Sequence, residues 1–186
     1  SHAVTGDATV ERVYDRWELS LTATSEAQQA RVDMAGNLLL EVGDLRTVRM
    51  LLDVGTIPSG LSAYWGLATA NATAVGDISA RVLFQAEASN AVTVRLDDTV
   101  IDSGSVSTGW TADGKMIFVI DFANGIKHAS PSFLSKRGKD ALLFYAAQEG
   151  KSLLPLNRLD LGLEHYTFGL QPFFRIEKAS GTATAK

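Results

Sequence analysis

VSTGWTADGKMIFVIDFANG, residues 106 to 125, is the stretch on whose reading the fold turns. Asp113-Gly114 at its centre tolerates the positive φ angles of a type I′ turn, the tight connection of a two-residue hairpin. The seven residues from Met116 to Phe122 are apolar except for Asp121, as in a strand buried on both faces. The segment reads as strand, turn and strand. It gathers no reactive groups, so it reads as part of a sheet and not as a working site.

The same period-two signal recurs on either side. In WELSLTAT (17–24), Trp17, Leu19, Leu21 and Ala23 point one way and Glu18, Ser20, Thr22 and Thr24 the other, as in a half-buried strand. LRTVRMLLDV (45–54) alternates likewise, with Val48, Met50 and Leu52 on one face, until GTIPSG (55–60) breaks the chain at Pro58. Between them, EAQQARVDMAGNLLLEVGD admits a short helix at its start but better suits a hairpin turning at residues 35–37. Residues 61–75 mix alanine with Gly66 and threonines, which puts strand and loop ahead of helix. ISARVLFQA (78–86), AVTVRL (91–96), DALLFYAAQ (140–148), SLLPLNRLDL (152–161) and QPFFRIEK (171–178) read as strands. Pro155 lacks a donor and places its strand at an edge or bulge. Phe173 or Phe174 is expected in the core. SPSFLSKRG (130–138) is the best short helix: Ser130 caps it, Pro131 suits its first position and Gly138 its stop.

The expectation is a mainly β protein, an antiparallel β-sandwich or barrel of nine to eleven strands with one or two short helices. Its single β-rich domain spans residues 9–178. Residues 1–8 are expected to be a flexible N-terminus, with Ser1 and His2 vector-derived, and residues 179–186 a flexible tail.

Composition narrows the function. The chain has 186 residues, 46% apolar and 20% charged, the balance of a soluble globular protein. A chain of this size buries about 70% of its unfolded surface, enough to fold without disulfide or metal. No apolar run approaches the roughly 20 residues of a membrane helix. A net charge of −4 argues against a nucleic-acid partner, whose phosphates require a basic face. The absence of cysteine removes disulfides, thiolate catalysis and cysteine-held metals. No signal peptide is evident, and none of these features settles the compartment.

Catalytic and cofactor motifs are missing. There is no G-x-S-x-G or S-x-x-K for a serine nucleophile, and neither glycine-rich phosphate loop. His128 and His165 show no metal-binding spacing and read as surface imidazoles, although a scattered hydrolase site could include either. DDTVID (97–102) lacks the ligand spacing of a calcium loop. Asn71-Ala72-Thr73 is a formal glycosylation sequon that carries no weight alone. No cofactor, metal or catalytic residue is therefore assigned. Two sets of contact residues remain. Tyr64, Trp65 and Trp110 are candidates for partner or ligand contact, against a competing reading as core. Lys136, Arg137 and Lys139 form a basic cluster suited to an anionic lipid or glycan, or to a solvated helix end.

The order YDRWEL (14–19), RTVRMLLDV (46–54), a Pro-Gly turn, VTVRLDD (92–98), KMIFVIDF (115–122), PSFLSKRGKDALLFY (131–145) and GKSLLPLNRLDL (150–161) resembles the bacterial invasion-associated locus B family. The resemblance covers about two-thirds of the chain, in pattern and not in motif. It implies an exported envelope β-sandwich without a known catalytic centre, and it carries over no functional residue. The paired cysteines usual in that family are absent here. The leading expectation is a non-enzymatic β-sandwich, periplasmic or secreted, acting by surface contact with a protein, glycan or lipid of the envelope. The alternatives are a barrel closed around a small apolar molecule, a hydrolase with a scattered site, and a structural assembly subunit; a cytoplasmic location is the alternative compartment.

Overall fold

The computed structural model describes residues 2–34, 40–41, 45–69, 72, 74–97, 102–122, 140–161 and 169–186. In chain order the strands are β1 (His2–Thr5), β2 (Thr9–Val13), β3 (Arg16–Ser20), β4 (Gln28–Asp33), β5 (Leu40–Glu41), β6 (Thr47–Val54) and β7 (Leu61–Ala68). They continue with β8 (Arg81–Ala86), β9 (Ala91–Asp97), β10 (Asp102–Thr111), β11 (Gly114–Asp121), β12 (Asp140–Gln148), β13 (Leu154–Leu161) and β14 (Gly169–Lys178). The only helical elements among the described residues are two single 3₁₀ turns, Val75–Asp77 and Ala88–Asn90. No helix among them is long and apolar enough to cross a membrane.

The strand–turn–strand reading holds over residues 106–122, and Gly114 takes the positive φ, 63°. The hairpin does not form. β10 pairs with β9 in one sheet, whereas β11 lies between β6 and β12 in the other. The turn is a crossing between layers. The reason lies in the apolar faces of the two arms. Val106 and Trp110 on β10 pack into the same core as Met116, Phe118 and Ile120 on β11. A flat hairpin would set those faces side by side; the crossing sets them against each other. The Trp110 ring meets Phe118 edge-on at 6.2 Å.

The large sheet runs β1-β4-β14-β7-β8-β9-β10, with β5 also pairing β14. The second sheet runs β13-β12-β11-β6, and β2 pairs β3 in a separate ribbon. All these pairings are antiparallel. Neither sheet closes on itself among the described residues, so the fold is a sandwich and not the closed barrel. The inner face of the large sheet is covered by the four-stranded sheet and, through Val10 and Leu19, by the β2–β3 ribbon.

Five rings centre the core. Trp65 stacks on Phe84 at 5.9 Å and tilts against Phe118 at 4.7 Å; Phe84 meets Phe118 at 5.0 Å and Phe144 edge-on at 5.4 Å. Offset and edge-on geometries suit the ring quadrupole and add about 0.5–1.5 kcal/mol per pair beyond area burial. One end of the sandwich is pinned by buried Asn90. Its Nδ2 donates to Gly55 O (2.9 Å) and Ala112 O (2.7 Å), and its Oδ1 accepts from Ile57 N–H (2.7 Å). The amide thus ties the crossing to the chain leaving β6. At the same end, where Lys178 stands opposite Leu61 of β7, this lysine is also buried and points its ammonium at the carbonyls of Thr22, Thr24, Gly181 and Ala183. Backbone oxygens there supply the solvation that water would give an exposed lysine.

Other expectations resolve individually. β12 and β13 form the expected hairpin, and Pro155 sits both on an edge strand and at a register shift. β4 and β5 do not pair with each other; both pair with β14, at opposite ends of its length. Phe173 and Phe174 are both used, on opposite faces. Residues 181–186, within the expected tail, run back to β3, where Leu21 N–H donates to Ala185 O at 2.9 Å. The expected helix at 130–138 lies outside the described residues.

Candidate functional site

Period-two alternation sends every second residue of the large sheet outward. Register then lines those residues up. Arg31 on β4 stands opposite Arg175 on β14, which stands opposite Tyr64 on β7; Tyr64 faces Gln85 on β8, and Gln85 faces Thr93 on β9. A transverse band of donors and acceptors with one aromatic ring at its centre crosses five strands. A second band beside it carries Gln29, Glu177 and Ser62, aligned across β4, β14 and β7.

Beside these bands part of the outer face is covered. The chain between β7 and β8 folds back over it, setting Val75 and Ile78 on Ala68, Leu83 and Phe173 as a small second core. Within the sheet, Gly66 lets the backbone of β8 come close to β7. It has φ of 147°, and a Cβ there would meet Val82 O at 2.3 Å. The covering segment ends at the arginines: Ala72 O accepts from Arg31 Nη1 (3.1 Å) and from Arg175 Nη1 (2.8 Å).

Arg175 is only 2% exposed. Its Nε donates to Glu177 Oε2 at 2.6 Å, and its Nη2 reaches the same oxygen, so the buried charge is paired and hydrogen-bonded. The amide of Gln85 donates to Glu87. Tyr64 is half-buried. Burial first, and then the Glu177 carboxylate, raise its pKa above the usual tyrosine value, against a lowering hydrogen bond with Ser62. The phenol therefore stays protonated at neutral pH and remains a donor.

Adjacent Tyr64 and Trp65 go to opposite faces, so the reading of both as contact residues is corrected. Trp65 is 2% exposed in the ring cluster and is a packing residue. Trp110 is partly buried against the same core. Of the three, Tyr64 alone lies on the outer face. Lys136, Arg137, Lys139, His128, His165, Asp98 and Asn71 lie outside the described residues. Among the described residues no three His, Asp or Glu side chains gather as a group able to hold a metal. Arg31, Arg175 and Gln85 were not singled out from the sequence. Their signal was present as polar residues at the outward positions of QQARVD, PFFRIEK and ARVLFQA, but which strands stand side by side is not written locally.

No protein-family model matches the chain, and no curated protein matches it either. Solved structures do. A Bacteroides ovatus mixed linkage glucan PUL GH16, in complex with a G4G4G3G product, superposes with a TM-score of 0.56 at 9% identity, covering 96% of this chain and 81% of that one. A legume lectin-like domain from Entamoeba histolytica gives 0.54 at 11% identity, over 99% of this chain and 84% of that one. The VIP36 exoplasmic/lumenal domain in its Ca2+/Man2-bound form gives 0.51 at 11% identity, over 100% and 76%. At these identities the likeness is one of fold. The chain shares the β-sandwich fold of these structures.

Proposed function

We propose that this protein is a carbohydrate-binding β-sandwich of the bacterial envelope, periplasmic or secreted, which holds glycan on the outer face of its large sheet. The observation that carries the reading is the band through Arg31, Arg175, Tyr64, Gln85 and Thr93. A sugar ring offers an apolar C–H face and a rim of hydroxyls. An aromatic ring flanked by planar guanidinium and amide groups matches both. Support comes from the fold shared with structures solved with glucan and mannose ligands, and for the compartment from the resemblance to the locus B family.

Affinity electrophoresis through gels containing mixed-linkage glucan, mannan or polygalacturonate tests this. The wild-type chain is retarded by at least one of them, and Tyr64→Ala abolishes the retardation while keeping the wild-type circular dichroism spectrum. Free migration of the wild type through every polysaccharide overturns the proposal.

One observation favours a second reading, hydrolysis. Glu87, which follows β8, extends the second band on the far side of Ser62 from Glu177. Their backbones lie about 10 Å apart, two strand spacings, on one face. Glycosidases use two carboxylates set across a substrate. Release of reducing ends from a retained polysaccharide, lost in Glu87→Gln, would support that reading over binding alone.

A further inference from the structure

We propose that the outer face takes an anionic sugar, a uronate or a sulfated residue, with Arg31 receiving its charge. This deepens the glycan reading above and rests on it.

Arg31 and Arg175 stand directly opposite each other on neighbouring antiparallel strands. Like charges so placed repel. Only one of them is answered. Two nitrogens of Arg175 donate to Glu177. Arg31 spends Nη1 on two neutral oxygens, the Gln29 side-chain amide (3.0 Å) and Ala72 O (3.1 Å). Its Nε is withdrawn from water without a hydrogen-bond partner. Asp33, two residues along β4 on the same face, is buried and has a partner elsewhere. The two guanidiniums thus converge on one carbonyl oxygen, and among the described residues the carboxylate of Glu177 bonds to Arg175.

A half-buried cation beside a like charge is the arrangement that an incoming oxyanion relieves. A carboxylate or sulfate accepts parallel hydrogen bonds from the guanidinium fork, and such charge-assisted bonds are about twice as strong as neutral ones. A neutral sugar would leave the charge on Arg31 as it stands. The neighbouring Tyr64 and Gln85 are uncharged at neutral pH, so they suit the rest of the ring and add no repulsion. The chain's net charge of −4 opposes indiscriminate attraction of polyanions, so retention of one would have to arise locally.

Calorimetric titration of the full chain with polygalacturonate, its methyl ester, dextran sulfate and unmodified dextran tests the proposal. The expected result is that polygalacturonate binds at least about tenfold more tightly than its ester, or dextran sulfate than dextran, the size of one lost charge-assisted hydrogen bond. Which of the two pairs shows the preference separates uronate from sulfate. In Arg31→Gln that preference collapses, and the charged polymer binds no more tightly than its uncharged counterpart. Equal affinity for charged and uncharged polymers, or a preference that survives in Arg31→Gln, overturns the assignment. Where the variant does not fold, the wild-type comparison within each pair decides by itself. Binding of the uncharged polymers alone sinks this inference and leaves the glycan reading standing; binding of none sinks both.

Discussion

The two faces of the large sheet are made by the same strands and follow opposite chemistry. On β7 the inward residues Leu61, Ala63, Trp65 and Leu67 belong to a continuous apolar core, whereas outward Ser62 and Tyr64 belong to a polar band. Trp65 and Arg175 are equally buried, at 2% exposure each. Burial therefore does not separate core from site. The partners do. Trp65 is surrounded by rings and leaves its indole N–H without a hydrogen bond; Arg175 is surrounded by oxygens and uses three nitrogens. The inner face is held by area removed from water, and the outer face by hydrogen bonds and charge pairing among its polar groups.

That contrast can be broken most severely from the inside. Phe118→Ala empties the centre of the ring cluster, touching Trp65, Phe84 and Trp110 at once. It should cost about 4 kcal/mol of stability, read from the denaturant midpoint. The residual folded fraction should keep its glycan affinity, because no ring of the cluster reaches the outer face.

Gly66→Ala attacks the close contact between β7 and β8. The new Cβ would meet Val82 O at 2.3 Å in a backbone conformation that suits glycine. A loss of roughly 3 kcal/mol is expected from strain and displacement of the neighbouring strand. Unlike Phe118→Ala, it should also weaken glycan binding, because β7 carries Tyr64 two residues away. Unchanged binding in a destabilised Gly66→Ala would show that the β7–β8 contact does not shape the site.

The smallest effect comes from the Tyr64 hydroxyl. Its pKa is raised, chiefly by burial. The folded state holds this proton more firmly than the unfolded chain, so the associated stability is complete below the ordinary tyrosine value of about 10. It is lost as pH rises through the folded value. Phenolate absorbance should show a component titrating above the ordinary range, and Tyr64→Phe should remove that component while changing stability at neutral pH by less than about 1 kcal/mol. A phenol that titrates at the ordinary value would mean the outer band is wetter than its packing implies.

Much of the architecture is legible in one dimension. Alternation in residues 45–54 set the inward face of β6 correctly, with Met50 and Val54 buried and Leu51 exposed. The Asp-Gly turn, the β12–β13 hairpin and the edge position of Pro155 follow equally from local rules. Pairing was less legible. Asp113-Gly114 correctly signalled a tight reversal but not whether its arms would hydrogen-bond or face each other across a core. Residues 35–37 suggested a hairpin where both flanking strands pair with β14 instead. The site suffered for the same reason. A tyrosine beside a tryptophan drew attention as a pair, yet alternation places them on opposite sides of the sheet. Arg31 and Arg175 lie 144 positions apart in the chain and become neighbours through register alone.

The order of residues by itself determined that this protein is β-rich, where its chain turns, and which side chains share a face of each strand. Those properties come from backbone sterics and from the two-residue repeat, both of which act within a few residues. Only the tertiary structure decided which strands stand together, and with that the doubled guanidinium on the outer face. Sheet pairing joins segments at any separation, and the choice among pairings is made by which arrangement buries the apolar faces of all strands at once.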